Sequence, residues 1–288
     1  MTLYKKYKKF AKKKGKAKMI GIGAGTNHEQ NVKLLTAINE FINEFNSNVS
    51  IFGTQEAYND LTNKKKLYSK NEEKISIIAD ENPEKKILSN VNEKKIAGAI
   101  RGGLPSHTFL EVLKHLYQMQ ETYRLALLET NDGYDFFYGP VGIDECGTFK
   151  EKKDYITYSF VEFNKIDISP NISVLSGGRK MDVGRDQTVD KSLQTAENLV
   201  SYFQKESPDL EIYHDEILIE KAVQRQSNLI IAPEGISGNL IYRTLVHLGG
   251  GKAYGAIYMG LDDVIIDTSR VGAKSEIYGA LVLALALS

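Results

Sequence analysis

Apolar positions along this chain recur in two rhythms: short unbroken runs, and longer stretches in which they return every third or fourth residue. The first run, residues 18–23, predicts a strand. A helix follows over 28–45, where Val32, Leu35, Ile38, Ile42 and Phe45 fall on one face. Further strands are expected at 49–52, 75–78, 96–100 and 124–128, with a helix over 106–119 opened by Pro105 and Ser106. Strands separated by helices imply right-handed crossovers and a parallel sheet. Residues 135–141 and 155–163 instead alternate apolar and polar positions and are rich in aromatics, which predicts antiparallel strands or a sheet edge. The α/β rhythm then resumes: strands at 172–175 and 229–232, helices over 188–203 and from about 237, strands at 254–258 and 264–266. A last helix is expected from about 273 to the end.

Composition narrows the chemistry. The 288 residues include one cysteine, Cys146, five histidines and no tryptophan. That excludes a disulfide framework and multi-cysteine zinc or iron–sulfur sites, and no metal centre is expected. The longest apolar stretch, 280–287, falls short of the roughly 20 residues that span a bilayer. No secretory signal pattern is present, so a cytoplasmic protein is expected. The 37 basic and 37 acidic side chains cancel, but unevenly. Residues 5–18 hold nine lysines and no acid, leaving a formal minus nine on the rest. Such a block suits nucleic acid or an anionic membrane. The alternative is a solvated amphipathic helix with Tyr4, Tyr7 and Phe10 turned inward, and it is preferred because the lysines run straight into an apolar strand without a linker; nucleic-acid binding ranks last because no aromatic platform or base-reading module accompanies them.

Candidate chemistry gathers at strand ends, where ligands of open α/β sheets bind. Gly21, Gly23 and Gly25 follow the first strand, but in GxGxG spacing. The second strand ends Ile51-Phe52-Gly53-Thr54 without the acid that a dinucleotide ribose wants, so a tight turn meeting a phosphate is the better reading. Arg101 and Gly102 close another strand before a helix start and make a candidate anion cradle. Gly177, Gly178, Arg179 and Arg185 form a second candidate on a glycine-rich loop. In the C-terminal third, 229–243 reads LIIAPEGISGNLIYR and 253–270 reads AYGAIYMGLDDVIIDTSR. The helix start at Gly238 and Asn239 is a third anion candidate. Asp267, Thr268, Ser269 and Arg270 can supply a base, hydroxyls and an anion clamp, or simply cap a helix.

Gly238, Asn239, Leu240, Tyr242 and Arg243, followed by Asp267, Ser269 and Arg270, resemble the C-terminal signature of the phosphate acetyl/butyryl transferase family. More narrowly, the IGIGAG start, the Arg101-Gly102 turn and the loop from Ser176 to Arg185 resemble the methanogenesis-marker family MtxX of archaea. The resemblance implies an isopropylmalate-dehydrogenase-like α/β fold with an interdomain cleft. Its first parallel-sheet domain would span 1–126 and 252–288, and an inserted second domain 127–251. It implies that Asp267 takes a thiol proton, that Arg270 with Arg101 and Arg179 holds phosphate, and that Ser269 bonds a carbonyl or phosphate oxygen. A thiol near pKa 8.5 is mostly protonated at neutral pH, so a positioned carboxylate would help form the nucleophile. The implied cosubstrates are coenzyme A or another thiol coenzyme with phosphate or an acyl phosphate, no cofactor being permanently bound. A homodimer is implied as well. Ile266 and Thr268 stand where the transferases carry Asn and Leu. The alternative function is therefore an accessory subunit of a corrinoid/coenzyme M methyltransferase, without acyl transfer and with methyltransferase subunits as partners.

Overall fold

The computed structural model describes residues 1–14 and 18–288, so positions 15–17 of the lysine block lie outside the described residues. The chain is an α/β protein that divides into two compact units, Leu3–Thr122 with Ala253–Ser288, and Tyr123–Lys252.

Unit 1 begins with α1 (Leu3–Lys14), β1 (Met19–Gly23), α2 (His28–Phe45), β2 (Asn48–Gly53), α3 (Gln55–Thr62), β3 (Ile75–Ala79), α4 (Pro83–Asn92), β4 (Gly98–Ile100) and α5 (Ser106–Leu116). Unit 2 follows with β5 (Arg124–Glu129), β6 (Asp135–Gly139), α6 (Phe149–Lys165), β7 (Asn171–Leu175), α7 (Gln187–Glu206), β8 (Glu211–Glu216), α8 (Ile219–Gln224), β9 (Leu229–Ile231) and α9 (Gly235–His247). The chain then returns to unit 1 for β10 (Lys252–Tyr258), β11 (Ile265–Asp267) and α10 (Lys274–Leu287).

In unit 1 the strands lie in the order β3-β2-β1-β4-β11-β10, parallel except for the β10–β11 pair. The chain steps outward from β1 through β2 to β3, then crosses back to place β4 on the other side of β1. That reversal is a topological switch point, where the loops leaving two neighbouring strands diverge and open a crevice. The register puts the ends of β1, β4 and β11 level: Ile22 pairs with Ile100, and Ile100 with Ile266. Helix α10 is apolar all round and, from Gly279 to Ala286, wholly buried, as a helix packed on several sides must be. One of its neighbours is α1, which buries Leu3, Tyr7 and Ala11 at four-residue spacing. Tyr7 is therefore inward as expected, Tyr4 stacks on Tyr254 with ring centroids 3.8 Å apart, and Phe10 is only half-buried. The lysine face is partly neutralised, because Lys8 and Lys12 both bridge Glu44 at 3.0 and 3.2 Å.

Unit 2 orders its strands β5-β6-β9-β7-β8, with β5–β6 an antiparallel hairpin and the other pairings parallel. Residues 155–163 correct the sequence expectation: they belong to α6, not to a strand. Tyr155, Ile156, Ser159, Glu162 and Phe163 are buried along one helical face, while Tyr158 and Val161 lie exposed on the other. Those two outward apolar side chains created the false alternation. The helix start was legible in Thr148-x-x-Glu151, a capping box in which Thr148 Oγ1 accepts from the Glu151 amide at 3.2 Å and Glu151 returns the favour to Thr148 at 3.1 Å. Among the described residues no helix is long and apolar enough to cross a membrane.

Candidate functional site

The glycines after β1 and β4 let two turns press backbone on backbone. A Cβ on Gly23 would lie 2.3 Å from the Arg101 carbonyl oxygen, and one on Gly102 would lie 2.0 Å from the Gly23 oxygen. Gly102 also has φ +60°, the left-handed region that glycine adopts without strain. The Gly103 amide donates to Gly23 O at 2.9 Å and locks the pair. The GxGxG spacing thus serves a close loop–loop approach rather than a dinucleotide turn.

Above these turns lies a pocket of about 330 Å³. Its walls are the glycine turns, the start of α2 at Asn27, Gln30 and Asn31, and the segment Thr268–Val271 after β11, with Leu34 and Ile277 supplying apolar surface. Asn27 caps α2 by accepting from the Gln30 amide at 3.0 Å. The first amides of any helix lack intrahelical acceptors and carry its positive dipole end, which favours an anion here. Arg270 stands on the pocket wall with an exposed guanidinium that makes no hydrogen bond or ion pair among the described residues.

Arg101 behaves oppositely, which corrects its expected role as an anion clamp. It is 4 % exposed; Nε donates to Asp267, one terminal nitrogen to Leu104 O at 2.7 Å and the other to Thr268 O. Asp267, expected as the base, does not line the pocket. Its Oδ1 accepts from Arg101 and from the Thr268 amide at 2.9 Å, so the pair braces the turn from behind. Ser269 does reach the wall, and its amide donates to Glu276 Oε1 at 2.7 Å. Glu276 is a buried carboxylate in the first turn of α10, missed because only the folding back of the loop before that helix brings it to the Ser269 amide. Asn31 was missed too. Buried on α2, it donates to Gly25 O at 3.0 Å and to Asp60 Oδ2 at 2.8 Å, fixing the glycine turn. Burial works against the Asp60 charge, but hydrogen bonds from Lys64, Asn31 and His28 prevail and hold its pKa at about 2.

No family model matches the chain. It is 42% identical over 214 residues to a protein of Methanosarcina mazei named methyltransferase mtx subunit X, covering 74% of this chain and 75% of that one. The namesake of Methanosarcina barkeri is 40% identical over 216 residues, 74% of this chain and 77% of its own. The chain belongs to the Mtx subunit X family. Among solved structures it resembles a branched-chain phosphotransacylase of Enterococcus faecalis (TM-score 0.70, 15% identity, 94% of this chain and 99% of that one). It also resembles a phosphotransacetylase of Streptococcus pyogenes (0.68, 17%, 99% and 98%) and an isocitrate dehydrogenase of Methylococcus capsulatus (0.52, 13%, 93% and 83%). At such identities these likenesses establish the fold alone.

The remaining candidate residues of this Mtx subunit X relative lie in unit 2. On the loop after β7 the Gly177 amide donates to Ser192 Oγ at 2.9 Å, and a Cβ on Gly178 would strike Val189. Arg185 pairs with Asp182, and Arg179 is exposed with its amide on Asp182 Oδ2 at 2.9 Å. Asp182 therefore occupies the Arg185 guanidinium, whereas from Arg179 it takes only the main-chain amide. The start of α9 is filled likewise: Glu234 accepts from the Ile236 and Ser237 amides at 2.7 and 3.0 Å. A Cβ on Gly238 would sit 2.0 Å from Pro140 O, and Asn239 donates to Val141 O at 2.8 Å. Both residues fasten α9 down rather than wait for phosphate.

The glycine loop is also tied to β8. Ser176 Oγ donates to Gly178 O at 3.0 Å and lies 2.9 Å from His214 Nε2, while His214 Nδ1 is buried without a partner. Burial lowers the His214 pKa below its ordinary 6.5, because a charged ring would bury a donor with nothing to meet. The fold prefers the neutral ring, so the unfolded chain binds the extra proton. This contribution is complete above pH 6.5 and is lost as pH falls from there towards the lower folded value. Urea midpoints taken from pH 7.5 down to 5 should therefore fall more steeply for the parent than for His214→Gln; parallel curves would refute the assignment.

Proposed function

We propose that this protein binds a small anionic ligand, phosphate or the phosphorylated end of a thiol coenzyme, in the unit 1 pocket, and acts beside the methyltransferase that its relatives' name invokes. One observation carries the reading: an unpaired guanidinium, Arg270, shares a wall with Ser269, two glycine turns and the start of α2. A charge-assisted hydrogen bond is worth about 1.5–3 kcal/mol. Arg270→Ala should accordingly weaken binding of inorganic phosphate or coenzyme A by roughly tenfold or more in a calorimetric titration. Failure of the parent protein to bind phosphate, acetyl phosphate or coenzyme A would overturn the proposal. Association with methyltransferase subunits is tested separately, by co-purification from a native host.

Acyl transfer between phosphate and a thiol is a second reading, favoured by Ser269 and Arg270 facing the pocket together. It needs a base, and Asp267 is committed to Arg101. Thiol release from acetyl-coenzyme A and phosphate, lost in both Arg270→Ala and Asp267→Ala, would support it. Absence of turnover in a protein that still binds phosphate would leave the binding role standing alone.

A further inference from the structure

We propose that helix α1 is a docking face for an anionic lipid surface. The apolar side of the helix faces the core: Leu3, Tyr7 and Ala11 are buried, with α10 among their neighbours. At about 100° per residue, Lys5, Lys9, Lys12 and Lys13 fall within a stripe about 100° wide on the opposite side, and all four are exposed. At a rise of about 1.5 Å per residue the stripe is about 12 Å long. The packing of α1 thus turns a run of lysines into an ordered, outward row of cations.

Neutralisation within the protein is confined to its flanks. The helix holds seven lysines and no acid. Lys8 and Lys12 share the single carboxylate of Glu44, and Lys14 donates to Ser288 O. Lys9 makes no ion pair or hydrogen bond among the described residues, and Lys13 meets no acid there, its Nζ standing 5.7 Å from the centroid of the Phe10 ring. The formal charge of the whole chain is zero. Attraction at this face therefore orients the molecule instead of drawing it in by every side.

A lipid surface is the occupant these side chains fit. It is flat and its charge is diffuse, so it meets a convex row of lysines without demanding a register. Lysine is a compact, hydrated point charge, whereas bidentate recognition of single phosphates and bases is the work of arginine, and α1 has none. No aromatic residue falls within the stripe to stack on a base. Met1, just ahead of the helix, is 73% exposed and offers an apolar side chain at the end of the row. The apolar face of α1 itself stays on the core, so the contact is electrostatic and shallow. It asks nothing of the ligand pocket.

Flotation of the full chain with lipid vesicles tests this. At low salt the protein should rise with vesicles of phosphatidylcholine carrying about a third phosphatidylglycerol, and not with phosphatidylcholine alone. At about 1 M salt, where the screening length falls to about 3 Å, it should be released. Each lysine near such a surface is worth about fivefold in partitioning. Lys5→Gln, Lys9→Gln, Lys12→Gln and Lys13→Gln combined should therefore lower it roughly 100-fold or more. Taking the same charge from Lys180, Lys191, Lys205 and Lys221, all exposed on unit 2, should change it less than about fivefold. Circular dichroism should be the same for the parent and both variants. A parent that ignores anionic vesicles, or binds phosphatidylcholine alone equally well, overturns the proposal. So does tighter binding to duplex DNA than to the vesicles at equal phosphate concentration. Equal losses in the two variants would also overturn it, by assigning the attraction to net charge and not to α1.

Discussion

Arg101→Met is expected to lower the stability of the protein by about 3–5 kcal/mol, the usual consequence of removing one partner from a buried ion pair. The guanidinium is a three-way junction, bound to the Asp267 carboxylate and to the Leu104 and Thr268 carbonyls. Methionine approximates its volume but leaves a buried charge and two carbonyls without donors, so the loss is electrostatic rather than a packing defect. Adding Asp267→Asn should return part of the stability by removing the stranded charge. Urea unfolding of the parent, the single and the double variants measures this. A single variant within about 1 kcal/mol of the parent would show that Arg101 is not the brace described, since surface changes rarely exceed about 0.5 kcal/mol.

Gly102→Ala should be nearly as damaging, and should abolish phosphate binding along with it. Two effects add. A non-glycine residue at φ +60° costs about 1 kcal/mol by itself. The new methyl group would also stand 2.0 Å from the Gly23 carbonyl oxygen, a main-chain atom that can move only if both turns move. Gly184→Ala separates the contributions, because Gly184 has φ +90° but open space around its Cα. It should lose only the conformational part, about 1 kcal/mol, and leave phosphate binding intact. Equal losses at the two glycines would mean that the close approach of the turns is unimportant.

Most elements were readable because their periodicities are strong. The expected helix at 28–45 matches α2, and the hydrophobic runs at 49–52, 75–78 and 172–175 fall inside β2, β3 and β7. What escaped was polar or short. Strand β8 buries only Ile212 and Asp215, as suits a strand at the end of its sheet order, and so shows little hydrophobic pattern. Helix α3 is a short segment whose polar residues outnumber its apolar ones. At the candidate site the sequence pointed to the right turns but not to the division of labour within them. Arg101 and Arg270 look alike in one dimension, each near a glycine or a hydroxyl. Only burial distinguishes a guanidinium enclosed by carbonyls from one open to a ligand. Asn31 and Glu276 gave no signal because their partners, Asp60 and Ser269, become neighbours only through the packing of separate elements or the folding back of a loop.

Because β11 inserts between β4 and β10, the residue facing Arg101 is encoded 166 positions downstream. A ribosome will have released the whole contiguous second unit before the first can close its sheet. Until Asp267 emerges, the nascent first half carries an uncompensated arginine and an open strand edge beside β4. The pocket in unit 1, part of whose wall is Thr268–Val271, therefore forms only after that late segment has emerged.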